Sequence, residues 1–268
     1  VYYRTPEGGI ALNLFTDSTK TFDVKGQAVT ILQETAYPND GDVKLTFSTQ
    51  DQTPVAFAFQ FRTPRWCTNI ALQVNDEAST SIDPLRQDRG CFVLERTWKD
   101  GDQVRISMPM AWRLVRGRAL QNGRAVLLRG PIVYCIGKDQ NAELLAQHPQ
   151  ARDFVIDPTS ISDPVRDDSI RPNGLKVVAT AWLNQDRTGE GVDITLTEFI
   201  DPSGQAVYFH VPNLADTSPL RLTEDDIVSR PNEFVNAHVL KALYGPKATG
   251  DLAAMFEIRG DVVADLAE

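Results

Sequence analysis

The stretch Val55-Ala56-Phe57-Ala58-Phe59-Gln60-Phe61-Arg62 puts a phenylalanine at three successive alternate positions. Side chains alternate across a strand, so all three rings leave one face and require a second layer to cover them. A helix would scatter the same rings around its cylinder. This run makes the surrounding chain β, with a packed aromatic interior.

The alternation recurs on either side. Val43, Leu45 and Phe47 show it, as do Ile70, Leu72 and Val74, and near the start Ile10, Leu12 and Leu14. Turn signals separate these runs at Glu7-Gly8-Gly9, Lys25-Gly26, Pro38-Asn39-Asp40-Gly41 and Asn75-Asp76. Short strands punctuated every eight to twelve residues or so indicate an antiparallel sandwich or barrel. Phe92 to Trp98, the Asp100-Gly101 turn and Gln103 to Met108 predict a hairpin whose two strands face one core, and Pro109 ends its ladder.

A second β-rich region follows. Ala125 to Leu128 and Ile132 to Ile136 are apolar runs broken by Arg129-Gly130-Pro131, and residues 137 to 173 look like loop. Further strands are expected over 175–183, 192–200 and 205–211. After Pro231, Phe234, Val235, Val239, Ala242 and Leu243 recur at helical spacing until Gly245-Pro246. The expected fold is all-β: two consecutive antiparallel β-sandwich domains, 1–111 and 112–222, with a partly helical C-terminal tail, 223–268. A length of 268 residues accommodates two such domains.

Lys and Arg number 27 against 36 Asp and Glu, a net charge of −9. An acidic chain releases few counterions from a polyanion, so no nucleic acid and no anionic membrane is expected as a partner. No apolar run approaches the roughly 20 residues that cross a bilayer. A start at Val1 without Met suggests a piece of a longer protein or a processed product.

Five segments, in order, carry a family pattern: Gly9 to Phe15, Gln33 to Gly41, Phe61 to Cys67, Glu95 to Asp102 and Leu128 to Cys135. Together they resemble the C-terminal β-sandwich part of the β-L-arabinofuranosidase family, glycoside hydrolase family 127, most closely over residues 9 to 136 and more thinly to Leu222. The resemblance implies that catalysis belongs to an N-terminal (α/α)6 barrel holding the acid/base and a zinc-bound cysteine nucleophile, with a Cys-Cys pair just upstream of the segment that resembles Gly9 to Phe15. No such pair occurs here. It therefore implies no catalytic residue, no metal ligand and no cofactor in this chain, zinc belonging to the barrel. The implied role is a non-catalytic accessory and structural region of a glycoside hydrolase, with the N-terminal catalytic barrel of the same protein as partner. A free-standing carbohydrate-binding module is the alternative, and an autonomous hydrolase a third reading. A glycan and a second copy of the chain (a homodimer) are further candidate partners.

The remaining chemistry is sparse. Cys67, Cys91 and Cys135, like His148, His210 and His238, are widely spaced. They form no disulfide framework or metal knuckle, though a Cys67 to Cys91 bridge stays open. A glycosidase needs two carboxylates about 5–5.5 Å apart for retention or about 6.5–9.5 Å apart for inversion. Glu34, Glu95 and Glu198 lie in or at the ends of strands, where they are expected to face solvent or meet Arg; Asp100 and Asp102 belong to a turn. Trp98 alternates with core residues, whereas Trp66 and Trp112, beside Pro or Arg at strand ends, are candidate carbohydrate-binding platforms. Arg113, Arg116, Arg118, Arg124 and Arg129 form a cluster suited to docking the catalytic module, to an acidic sugar, or to pairing with the chain's own carboxylates. An apolar docking face is expected near Tyr2, Tyr3 and Ile10 and along Trp112 to Arg129.

Overall fold

Alternation becomes pairing in the computed structural model, which describes residues 1–87, 90–117, 121, 123–212 and 221–223. The chain divides into two units, the first comprising Val1–Ala111 with Arg129–Ile132, the second Trp112–Leu128 with the residues from Val133 onward.

The first unit contains β1 (Tyr2–Arg4), β2 (Ile10–Leu12), β3 (Ser18–Val24), β4 (Gln27–Thr35), β5 (Asp42–Thr49), β6 (Val55–Arg62), β7 (Ile70–Val74), β8 (Thr80–Ile82), β9 (Cys91–Trp98) and β10 (Gln103–Ser107). Four strands form one sheet in the order β1-β2-β6-β9, and six form another in the order β3-β4-β5-β10-β7-β8. Inward residues of both sheets meet in one core. Phe57 and Phe59 from β6, Phe47 from β5 and Trp98 from β9 form its centre. Trp98 stacks on Phe47 at 4.0 Å between ring centroids, and Phe59 stands edge-on to Phe47 at 5.3 Å. The Trp98 indole N–H donates to the Phe57 carbonyl at 3.1 Å, so the buried polar atom is satisfied.

Two expectations change here. The strands β9 and β10 do not form a hairpin: β9 pairs with β6, whereas β10 lies between β5 and β7 in the other sheet. The Asp100-Gly101 turn, with Gly101 at φ 82°, carries the chain across the core from one sheet to the other. Both strands do bury Trp98, Val104 and Ile106 in the same core, and inward alternation alone does not say whether two strands are neighbours or face each other. The β2–β6 pair is also parallel, and Leu14 has left the strand and lies exposed.

The second unit contains β11 (Trp112–Arg116), β12 (Arg124–Arg129), β13 (Ile132–Gly137), helix α1 (Ala142–Gln147), β14 (Val155–Ile156), β15 (Val165–Arg166), β16 (Leu175–Trp182), β17 (Val192–Glu198), β18 (Gly204–Ala206), β19 (Tyr208–His210) and β20 (Arg221–Thr223). It is all-β as expected, apart from the short α1 inside the stretch expected to be loop. Its strands do not separate into two sheets. Pairing runs β12-β13-β17-β16-β14-β19 and returns to β12, closing six strands into a ring. Closure gives every ring strand two neighbours, which removes exposed edges. Small residues Ala125, Ala179 and Ala181 and the larger Leu127, Leu196 and Phe209 are buried in it. The expected helical tail lies outside the described residues, except for Thr223 in β20.

Candidate functional site

Segments far apart in sequence meet at one corner of the first unit. The β4–β5 loop is shaped by its own polar groups: the Tyr37 N–H donates to Thr35 Oγ1 at 3.0 Å, the Thr35 hydroxyl donates to the Asp42 carbonyl at 2.6 Å, and the Asn39 N–H donates to the Ala36 carbonyl at 2.9 Å. Gly41 closes the loop where a Cβ would fall 1.8 Å from the Met108 carbonyl oxygen, so no other residue fits. The loop holds Tyr37 with its ring 5.4 Å from that of Phe15, edge-on. Its hydroxyl accepts a hydrogen bond from Trp66. Burial raises the Tyr37 pKa above 10.0, and the Trp66 bond and the nearby Arg62 charge oppose that rise. Arg129 Nη1 donates to the Asn39 carbonyl at 2.8 Å. Gly130, at φ 53°, passes so close to Met110 and Trp66 that a Cβ would meet the Met110 sulfur at 2.2 Å.

Four of the five motif segments thus converge: Phe15, Tyr37 with Asn39, Arg62 with Trp66, and Arg129 with Gly130. Half-buried aromatic surface bordered by two guanidinium groups suits contact with another surface. Among the described residues named at this corner, Phe15, Tyr37, Asn39, Arg62, Trp66, Arg129 and Gly130, none is a carboxylate.

The structure brings together two of the expected site residues, Trp66 and Arg129. Trp66 is half-buried and packed against the core. Trp112, Arg113, Arg116 and Arg124 belong to the second unit. Trp112 is half-buried, its ring 5.1 Å from Tyr134. Arg113 and Arg116 lie on β11 on either side of Leu114-Val115, both half-buried. Arg124 fans out to three partners: Nε to His210 Nε2 at 3.2 Å, Nη1 to Gln121 Oε1 at 3.2 Å and Nη2 to Asp153 at 3.8 Å. Burial, reinforced by the Arg124 charge, lowers the His210 pKa below 6.5. Arg118 lies outside the described residues. Near the chain start, Ile10 is fully buried, Tyr2 is half-buried with its ring 5.7 Å from Phe22, and only Tyr3 is exposed, its hydroxyl bonded to Gln60. Ile10 and Tyr2 thus pack into the first unit's own core, because β2 sits inside its sheet and not at the edge, while Val1, Tyr3 and Leu14 stay exposed.

The carboxylates are engaged structurally. Glu34 pairs with Lys44 at 3.0 Å, and Glu95 points outward from β9. Glu198 is buried and gripped by Arg171. Asp100 accepts from the Thr49 N–H, and Asp102 accepts from Asn75 and the Lys99 N–H, pinning the turn that joins the sheets. No disulfide joins Cys67, Cys91 and Cys135, so the Cys67 to Cys91 bridge is not formed. Burial raises the pKa of Cys67 and Cys135. Among the described residues no three His, Cys, Asp or Glu side chains gather as a set able to hold a metal ion.

The outer face of the six-stranded sheet holds a groove of about 520 Å³ lined by residues of β4, β5, β7 and β10. Its walls come from strands that become neighbours only on folding.

Comparisons place these observations. Residues 9–110 match the family model described as Beta-L-arabinofuranosidase, GH127 middle domain. A GH127 beta-L-arabinofuranosidase from Geobacillus stearothermophilus T6 superposes with a TM-score of 0.64 at 23% identity, over 78% of this chain and 34% of that one. A solved glycoside hydrolase gives 0.63 at 25% identity, over 79% and 37%. A third structure, a GH127 beta-arabinofuranosidase, gives 0.60 at 18% identity, over 81% and 36%. No curated protein matches. The chain spans about a third of the length of the solved structures it resembles. Residues 9–110 are therefore similar in sequence to a GH127 middle domain, and the chain is similar in fold to solved GH127 arabinofuranosidases.

Proposed function

We propose that this chain is a non-catalytic accessory region of a glycoside hydrolase related to the β-L-arabinofuranosidases, supporting a catalytic barrel in the hydrolysis of glycans. The observation that carries the reading is the corner of the first unit, where four motif segments build an aromatic surface from Phe15, Tyr37 and Trp66 flanked by Arg62 and Arg129. Such a surface fits the role of a rigid contact for a neighbouring module, with the aromatic faces supplying apolar area and the guanidinium groups meeting carboxylates. The match of residues 9–110 to a middle domain supports the same reading. The acid/base and nucleophile would then reside on the partner module.

The test is an assay of the purified chain on an aryl β-L-arabinofuranoside. No sugar release is expected. Release that survives purification and disappears on Glu34→Gln or Asp42→Asn would replace the accessory reading with that of an autonomous hydrolase.

A further inference from the structure

The groove on the outer face of the six-stranded sheet has a composition that structure alone does not require. Strand register sets Glu34, Lys44, Arg105 and Gln73 side by side in one row across β4, β5, β10 and β7. The next row is Asp42, Ser107 and Ala71. Long side chains in the first row beside small ones in the second create the depression, with Ser107 and Ala71 as its floor.

Lys44 and Arg105 are direct cross-strand partners, and like charges in that relation are unfavourable. Lys44 is relieved by Glu34 at 3.0 Å. Arg105 is exposed, and among the described residues no carboxylate pairs with it. Ser107, in the groove lining, donates its hydroxyl proton to Asp42 Oδ1 at 2.6 Å, which leaves its oxygen as an acceptor. The walls therefore alternate donors (Arg105, Lys44) with acceptors (Asp42, Glu34), and Gln73 offers both.

We propose that this groove binds a neutral polyhydroxylated ligand, a sugar unit of a glycan. A hydroxyl both donates and accepts, so neighbouring hydroxyls satisfy an arginine and a carboxylate at once, which neither an anion nor an apolar ligand does. Glu34, Asp40 and Asp42 on the rim oppose an anion. The volume of about 520 Å³ lies within the roughly 300–1,000 Å³ of small-molecule sites. No aromatic residue lines the groove, so recognition rests on hydrogen bonds and affinity is modest. Choosing a glycan among polyhydroxylated ligands rests on the glycoside-hydrolase reading above; the site itself does not.

The experiment is titration of the full chain, by calorimetry and by chemical-shift perturbation, with a neutral arabino-oligosaccharide, with glycerol as a non-sugar polyol, and with an oligogalacturonate as an anionic comparator. Saturable binding of the neutral oligosaccharide is expected, with shifts centred on Gln73, Arg105 and Ser107. Arg105→Ala should weaken it about tenfold or more, the loss of a charged hydrogen bond. Ala71→Trp, which fills the floor and removes no polar group, should abolish it, with an unchanged melting temperature as the control for folding. Binding of the oligogalacturonate alone, equal binding of glycerol, binding insensitive to Ala71→Trp, or no binding at all would overturn the proposal. None of these outcomes bears on the accessory reading, which is decided by the hydrolysis assay.

Discussion

Arg171 holds Glu198 with two parallel hydrogen bonds, Nε to Oε2 at 2.5 Å and Nη2 to Oε1 at 2.7 Å, while the Leu175 N–H donates to Oε1 at 3.0 Å. The Glu198 side chain is only 6% exposed. The pair clamps the loop entering β16 onto the end of β17, two strands of the closed ring. Replacing Arg171 with Met leaves a buried carboxylate without its cation. The expected loss is about 2–4 kcal/mol from the second unit's stability, measured by denaturant unfolding. A loss below about 0.5 kcal/mol would show that the pair behaves like an exposed one.

Trp98 combines packing with a hydrogen bond, and the two separate by substitution. Trp98→Phe keeps most of the stacking on Phe47 and leaves the Phe57 carbonyl without its indole donor, at a cost of about 1–2 kcal/mol. Trp98→Ala opens a cavity at the centre of the first unit and costs about 3–5 kcal/mol. Equal losses for the two variants, followed by far-UV circular dichroism in urea, would mean that the hydrogen bond and not the packing holds the site.

Asp167 gives the second unit an acid-sensitive contact. Hydrogen bonds from Ser169, and then Lys176 at 3.0 Å, hold its pKa at about 2, below the ordinary 3.8. A depressed folded-state pKa contributes stability that is present above the unfolded value and lost as pH falls through the folded one. The window is therefore pH 3.8 down to about 2. Asp167→Asn should flatten the stability profile in that window while leaving its shape at neutral pH unchanged. An identical acid limb in the variant would assign the loss to other carboxylates.

Most strands were legible because alternation is local: Phe57, Phe59 and Phe61 declare an inward face whatever the rest of the chain does. Partnership was not. Trp98 and Val104 both point into the core, and whether they sit side by side or across it depends on pairing with Val55 and Leu45, far away in sequence. Closure of the second unit was hidden for the same reason, since the two-residue β14 and the single bridge from Val155 to His210 complete the ring. Of the candidate site, Trp66 stands out in the sequence as an aromatic at a strand end and Arg129 as one of a run of arginines in an acidic chain. Their meeting through Tyr37 and Asn39 was not, because no local pattern records that residues 37, 66 and 129 share a corner. The groove around Arg105 left no trace, its outward-facing positions being indistinguishable from an ordinary solvated strand face.

The link between Tyr37 and Trp66 makes the corner titratable. Burial raises the Tyr37 pKa above 10.0, whereas the Trp66 hydrogen bond and the Arg62 charge favour the phenolate and hold the rise back. With the folded-state value above the unfolded one, the associated stability is complete below pH 10.0 and is lost as pH climbs through the folded value. Trp66→Phe removes the donor and keeps an aromatic ring beside Gly130, so Tyr37 should ionise at a still higher pH. Arg62→Gln should move it the same way by removing a positive charge. Alkaline absorbance titration, with Tyr37→Phe as the reference that isolates this phenol from the other tyrosines, reads both shifts. A Tyr37 that ionises earlier in Trp66→Phe would mean that the indole serves mainly to bury the hydroxyl. The corner would then be a packed seam of the first unit, with no polar face held ready for a neighbouring module.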